Sequence, residues 1–166
     1  MRLEKIKITP MPNTQEAVER RAHDNKAEDF HHILAAVKTF APKGPLSVLS
    51  LGSGFGQVAQ ALGMHRCRTA NLDYSFKLLS TGKKQPHNYL GTNFINADAK
   101  SIPFKDKTFD IVVSGHFLHS GLADTRKDEE KMLQEAHRCL KPGGLLVLDR
   151  ANSSAASEKK LEESGF

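Results

Sequence analysis

Three glycines, Gly52, Gly54 and Gly56, stand at alternate positions directly after the apolar run Leu46–Leu51. A glycine turn at the end of a strand removes steric cover from the backbone. It offers N–H groups and a helix N-terminus to a polar ligand. The spacing is GxGxG, with Gln57 where the GxGxxG of dinucleotide folds has its third glycine. Glycines also serve tight strand-to-helix turns for purely structural reasons, so the turn alone does not name a ligand. Asp73 lies 21 residues after Gly52, at the end of the next strand-like stretch. A carboxylate there can accept hydrogen bonds from both vicinal hydroxyls of a ribose, the role an acid plays at that spacing in nucleoside-binding folds. The alternative is that Asp73 caps the helix that follows.

Other chemistry-bearing residues give less. His116 and His119, with Asp124, could be drawn as a metal site, but they follow a strand and lack a helical HExxH frame, so no metal is assigned. His31 and His32 are adjacent in a helical segment and point different ways around it. Cys67 and Cys139 lie 72 positions apart with no CxxC or Cys/His ligand spacing. They read as free buried thiols of a reducing compartment and not as zinc ligands.

The elements that must position these groups follow from periodicity. From Thr14 to about Phe40 the chain is helix-permissive, with Phe30, Ile33, Leu34 and Val37 on one face. Ala41-Pro42-Lys43-Gly44-Pro45 stops that helix. Leu46–Leu51 then reads as a strand and Gln57–Leu62 as a helix. Arg68–Asp73, Thr92–Asn96 and Phe109–Ser114 read as further strands, with a helix over Ser75–Thr81. Asp124 can cap a helix running to about Leu140 with Met132, Leu133, Ala136 and Leu140 on its buried side. Lys141-Pro142-Gly143-Gly144 is expected to end it before a strand over Leu145–Asp149. Strands separated by helices predict an α/β fold, doubly wound, with a mostly parallel sheet covered on both faces. Ligands of such sheets lie beyond the carboxyl ends of the strands, which directs attention to Gly52–Gly56, Asp73, Asp98, Ser114–His119 and Asp149.

Length and composition agree. A chain of 166 residues suits one domain, residues 1–166, with a leading helical segment 14–40, a core 46–149 and a short C-terminal helix 155–164. Its 39% hydrophobic and 26% charged residues exclude disorder throughout. No run of 18 apolar residues and no secretory signal core are present, so a cytoplasmic protein without a membrane span is expected. The segment from Gly63 to Lys105 holds seven Lys/Arg against Asp73 and Asp98 and accounts for the whole net charge of +5. Such a stretch could steer RNA or an anionic metabolite, but no interleaved aromatics accompany it, and a solvated face is the commoner reason for such a run.

Four segments together resemble the class I S-adenosylmethionine-dependent methyltransferases, closest to the ubiquinone and menaquinone biosynthesis group. They are Val48 to Gly56; Asn71-Leu72-Asp73-Tyr74-Ser75; Asn96-Ala97-Asp98-Ala99 with Ile102-Pro103-Phe104 and Phe109–Ser114; and the pattern Glu135, Arg138, Leu140, Lys141, Pro142, Gly143, Gly144, Leu145. The resemblance runs from about Ser47 to Asp149 and implies a Rossmann-like sheet and S-adenosyl-L-methionine as cofactor. It implies that Gly52, Ser53 and Gly54 face the methionine part, that Asp73 holds the ribose and that Tyr74 lies near the adenosine. Asp98 would accept from the adenine amino group and Ala99 would offer its N–H to the ring. Ser114, Gly115 and His116 would lie near the sulfonium methyl. If the acceptor must lose a proton, His116 or His119 is the candidate base; packing behind the cofactor is the alternative role.

The chain departs from the family pattern in two places. Ser50 stands where the family usually has an acid that helps orient the cofactor's amino group, and the last antiparallel strand pair is missing. A fifth strand left at a sheet edge should be covered, by a helix over Ala155–Ser164 or by a second copy forming a homodimer, unless the sequence is a truncated product. Three functions follow as alternatives. They are a methyltransferase acting on a small-molecule acceptor, with the leading helix closing over the cofactor; a catalytically silent binding or regulatory subunit of the same fold; and a dinucleotide oxidoreductase, which the GxGxG spacing disfavours.

Overall fold

The computed structural model describes residues 30–41, 43–63, 67–84, 92–114, 126–148 and 161–166. The first helix, α1 (His31–Phe40), buries Ile33 and Val37, with Phe30 at its start. It ends where Ala41 turns extended (φ −72°, ψ 152°), the conformation that the following Pro42 enforces, while the Ala41 N–H still reaches the Val37 carbonyl. Then come β1 (Ser47–Leu51), α2 (Gln57–Gly63), β2 (Arg68–Asp73), α3 (Phe76–Lys83), β3 (Thr92–Asn96), β4 (Phe109–Ser114), α4 (Arg126–Cys139) and β5 (Leu140–Leu148).

The five strands form one parallel sheet in the order β3-β2-β1-β4-β5. Strand order reverses between β1 and β4, where Leu51 stands beside Ser114. β1 and β4 are buried on both faces almost throughout, as central parallel strands under two helical layers must be. On one face Leu49, Leu51, Leu72 and Val112 pack with Met132, Ala136 and Cys139 of α4 and with Ala99 and Ile102. On the other, Val48, Ile111 and Val113 pack with Ile33 and Val37 of α1 and Val58 and Leu62 of α2. The α/β fold with a parallel sheet is as the sequence predicts. Among the described residues no helix is long and apolar enough to cross a membrane.

β5 differs from expectation. The sheet takes up the chain at Leu140, directly after α4, and not at Leu145. Leu140 pairs with Phe109 and Leu145 with Ile111, so Lys141–Gly144 bulges across the single residue Asp110. Gly143 permits this with φ +73°, and a β-carbon on Gly144 would meet the Asp110 carbonyl at 3.0 Å. Lys141 Nζ closes the bulge with a 2.7 Å bond to Asp110 Oδ1. The other Asp110 oxygen receives the Ser47 hydroxyl at 2.6 Å and the Ser47 N–H at 2.9 Å. Of the expected C-terminal helix over 155–164, the described part is helical at 161–163. There Ser164 is buried and Phe166 meets the His137 ring of α4 edge-on. Asp124, Asp149 and the leading segment before Phe30 lie outside the described residues.

Candidate functional site

The glycine turn after β1 adopts the backbone that its composition allows. Gly52, Gly54 and Gly56 have φ of +61°, +54° and +85°, a region that L side chains enter only with strain. The turn is fixed by Ser53 N–H to Leu72 O (3.1 Å) and Gly56 N–H to Ser53 O (2.8 Å), and α2 starts with Gln60 N–H on Gly56 O (2.9 Å). The glycines differ in purpose. A β-carbon on Gly54 would meet only the Gln57 side chain, at 3.8 Å, so this residue leaves an open approach to the backbone. One on Gly56 would press on Asn71 and the Phe94 ring at 3.3 Å, so this residue serves packing.

Asp73 ties the turn to the next strand. Its Oδ2 accepts the Gly54 N–H and its Oδ1 the Ser75 N–H, both at 2.8 Å. The capping role belongs instead to Ser75, whose Oγ accepts the Leu78 N–H at 3.4 Å at the start of α3. Each Asp73 oxygen spends one of its acceptor directions on the backbone and keeps another for a donor from outside. Burial pushes the carboxyl above its ordinary range, and the Ser75 and Gly54 N–H groups offset this only in part. An ionised Asp73 therefore gains from further donors, and a vicinal diol supplies two.

The segment after β3 is anchored on the same residue. Ala97 N–H donates to Asp73 O (3.2 Å), and Asn96 Nδ2 donates to the carbonyls of Asp73 (3.0 Å) and Tyr74 (2.8 Å). Two residues on, Asp98 Oδ1 accepts the Lys100 N–H at 2.8 Å, and its Oδ2 lies 3.8 Å from Lys100 Nζ. The Asp98 side chain is 41% exposed, whereas Ala99 is anchored in the core. Gly54, Asp73 and the start of the Asp98–Ala99 segment thus form one hydrogen-bonded rim at the carboxyl ends of β1, β2 and β3.

Tyr74 is 80% exposed on this rim. Ser53 and Ser114 are buried, and their hydroxyls find no partner among the described residues. Ser50 is buried beside Asn71 in the β1–β2 register, and its hydroxyl likewise finds none. Gly115, His116 and His119 lie outside the described residues. A sulfonium nucleoside of the kind that the resemblance implies fits this donor set. It would meet an open glycine backbone, a carboxylate with spare acceptor directions for a diol, and a second carboxylate for an exocyclic amine.

Several residues that shape the site were not singled out from sequence. Asn96 anchors two carbonyls of the β2 end, a role that one strand-end asparagine does not announce. Gly82 of α3 lies so close to the turn that a β-carbon would run into the Phe55 carbonyl, with the Phe55 Cα at 2.8 Å. A glycine late in a helical pattern was the available signal. In the sequence Glu135 and Arg138 are only parts of a family-like pattern, yet they grip the backbone beyond Asp98.

The chain is similar to known proteins in sequence and in fold. The family model described as "Methyltransferase domain" matches residues 49–148. A demethylmenaquinone methyltransferase of Clavibacter sepedonicus is 30% identical over 115 residues, covering 69% of this chain and 45% of that protein. A 2-phytyl-1,4-naphtoquinone methyltransferase of Nostoc punctiforme is 34% identical over 114 residues, covering 65% and 47%. The chain spans about half the length, or less, of these curated relatives. Among solved structures, a TehB-like SAM-dependent methyltransferase from Corynebacterium glutamicum superposes with a TM-score of 0.70 over 92% of this chain and 84% of that one. At 17% identity that likeness is one of fold.

Proposed function

The chain belongs to the class I S-adenosylmethionine-dependent methyltransferase family, and from that premise we propose that it transfers a methyl group to a small-molecule acceptor of the quinone or quinol class. The observation that carries the reading is the bond from Gly54 N–H to Asp73 Oδ2, which joins an open glycine turn to a carboxylate that retains acceptor capacity. The curated relatives named for quinone substrates point to the acceptor class. A malonyl-[acyl-carrier protein] O-methyltransferase of Marinomonas, 28% identical over 142 residues, points to oxygen as one acceptor atom.

S-Adenosylmethionine supplies a methyl group on a cationic sulfur, transferred by in-line displacement. The work left to the protein is alignment and exclusion of water, and positioning of this kind can supply roughly 7–11 kcal/mol. In this reading Gly52, Ser53 and Gly54 hold the amino-acid end. Asp73 grips the ribose, Asp98 and the Ala99 N–H read the adenine, Tyr74 lies against the adenosine, and Ser114 with Gly115 and His116 borders the reacting end. His116 or His119 takes the acceptor's proton where one must leave. Ser50 brings a hydroxyl and no charge where the family resemblance has an acid, so it lowers affinity for the cofactor's ammonium.

Thermal denaturation with S-adenosylmethionine, S-adenosylhomocysteine or NAD tests the reading. A ligand at about 100 times its dissociation constant adds about 2.7 kcal/mol of stability. Stabilisation by the two sulfur nucleosides, followed by methylation of a hydroxylated naphthoquinol, supports it. Stabilisation by NAD alone overturns it, and nucleoside binding with no turnover on any quinol, thiol or carboxyl acceptor favours the silent binding subunit instead.

A further inference from the structure

We infer that Glu135 and Arg138 of α4 form a clamp that sets adenine recognition, by holding the far end of the segment that carries Asp98 and Ala99. The inference rests on the cofactor reading above and concerns two residues that touch no cofactor in it; they are positioning residues.

The geometry is specific. The segment from Ala97 to Thr108 connects β3 to β4 without regular structure, so its path depends on its anchors. Its near end is tied to Asp73 through Ala97 N–H and the Asn96 amide. At its far end Glu135 Oε2 accepts the Ile102 N–H at 2.8 Å, while Arg138 Nη2 donates to the Ile102 carbonyl at 2.9 Å. Arg138 Nη1 donates to the Phe104 carbonyl and to Asp106 Oδ1, both at 2.8 Å. The two side chains also brace one another: Arg138 Nε and Nη2 reach Glu135 Oε1 and Oε2 at 2.8 Å each. Every Arg138 nitrogen is therefore used in a planar fork, a pattern a lysine cannot reproduce.

Between the two anchors lies a single tight turn. Asp98 Oδ1 accepts from Lys100 N–H and the Asp98 carbonyl from Ser101 N–H at 2.9 Å, and Ile102 follows directly. Fixing both the N–H and the carbonyl of Ile102 fixes the plane of its peptides, and with it the direction of the Asp98–Ala99 turn four residues back. The buried Ala99 and Ile102 side chains complete the support from the core side. The Arg138 hydrogen bond first, then the Ile102 N–H and the Arg138 and Lys131 charges, hold Glu135 below its ordinary carboxylate range against burial, so the clamp is ionised at neutral pH.

The test is calorimetric binding of S-adenosylhomocysteine and of S-inosylhomocysteine, whose base carries an oxo group where adenine has its amine, to the full chain and to Arg138→Lys, Glu135→Gln and Asp98→Ala. If the clamp acts through Asp98, Arg138→Lys weakens S-adenosylhomocysteine about tenfold and S-inosylhomocysteine less than about twofold, and adds little in the Asp98→Ala background, as coupled sites behave. Glu135→Gln, which keeps an acceptor for Ile102 N–H, shows the same pattern more weakly and serves if Arg138→Lys does not fold. Equal losses for both nucleosides, or additive losses with Asp98→Ala, overturn the clamp's role while leaving the cofactor reading intact. Failure of the unaltered chain to bind either nucleoside overturns both.

Discussion

At the scale of single residues the account turns on Asp73, which joins two loops and carries spare acceptor capacity. Replacing it by alanine removes two charged hydrogen bonds to a ribose, each about 1.5–3 kcal/mol. Affinity for S-adenosylhomocysteine should fall by at least a hundredfold in titration calorimetry, with the melting temperature moving far less than the binding signal. The pH dependence follows from burial, which raises this carboxyl. The folded protein without ligand holds the Asp73 proton more tightly than the unfolded chain does, so ionisation costs the fold stability as pH rises through the raised value. A ribose favours the ionised form. Affinity should therefore weaken as pH falls from neutral into the acid range, with proton release on binding visible as a buffer-dependent heat. A pH-independent affinity, or an unchanged one in Asp73→Ala, contradicts the role. The spacing of Gly52 and Asp73 made this pair legible in the sequence. The carboxylate's hold on Gly54 and Ser75 was not, because a backbone N–H bond leaves no residue-type signature.

Among the elements, β2, β3 and β4 begin and end where the sequence predicts; the apolar β4 is buried almost throughout, whereas the mixed β3 lies at the sheet edge and is only partly covered. β5 starts earlier than the sequence predicts because Pro142-Gly143-Gly144, which has the composition of a turn, lies within the strand as a bulge. Its bulge is tied to Asp110, thirty-one residues earlier, through Lys141, and such a tertiary bond is invisible to local pattern. Burial would raise Asp110, but the Lys141 side chain and the Ser47 hydroxyl and N–H outweigh it and bring the carboxyl below its ordinary value. Its stabilising effect is therefore present above the ordinary carboxylate value and lost as pH falls through the lowered one. Asp110→Asn should cost about 1–2 kcal/mol at neutral pH, about 2–8 °C in melting temperature for a chain of this size. The difference from the unaltered chain should shrink in the acid range. Gly82→Ala is the sharper test of packing between α3 and the glycine turn. Its added methyl meets the Phe55 backbone, which cannot give as a flexible side chain would. We expect a lower melting temperature together with weaker nucleoside binding; loss of stability with unchanged binding would separate the turn's geometry from recognition.

For the molecule as a whole, the parallel sheet brings residues from three loops to one rim at the carboxyl ends of β1, β2 and β3, on one side of the point where strand order reverses. The sheet was readable from alternating strands and helices, and the rim from the rule that ligands lie at strand ends. The couplings that hold the rim, Asn96 on the β2 end and Glu135 with Arg138 on the segment after β3, were hidden because they join residues 22 to 36 positions apart through backbone groups. The central claim is that S-adenosylmethionine lies across this rim. A crystal structure grown with S-adenosylhomocysteine tests it most directly: we predict both ribose hydroxyls on the Asp73 carboxylate and the adenine amine on Asp98, with the homocysteine end over Gly52–Gly54. A ligand bound elsewhere, or those two carboxylates turned away from a common hollow, would contradict it.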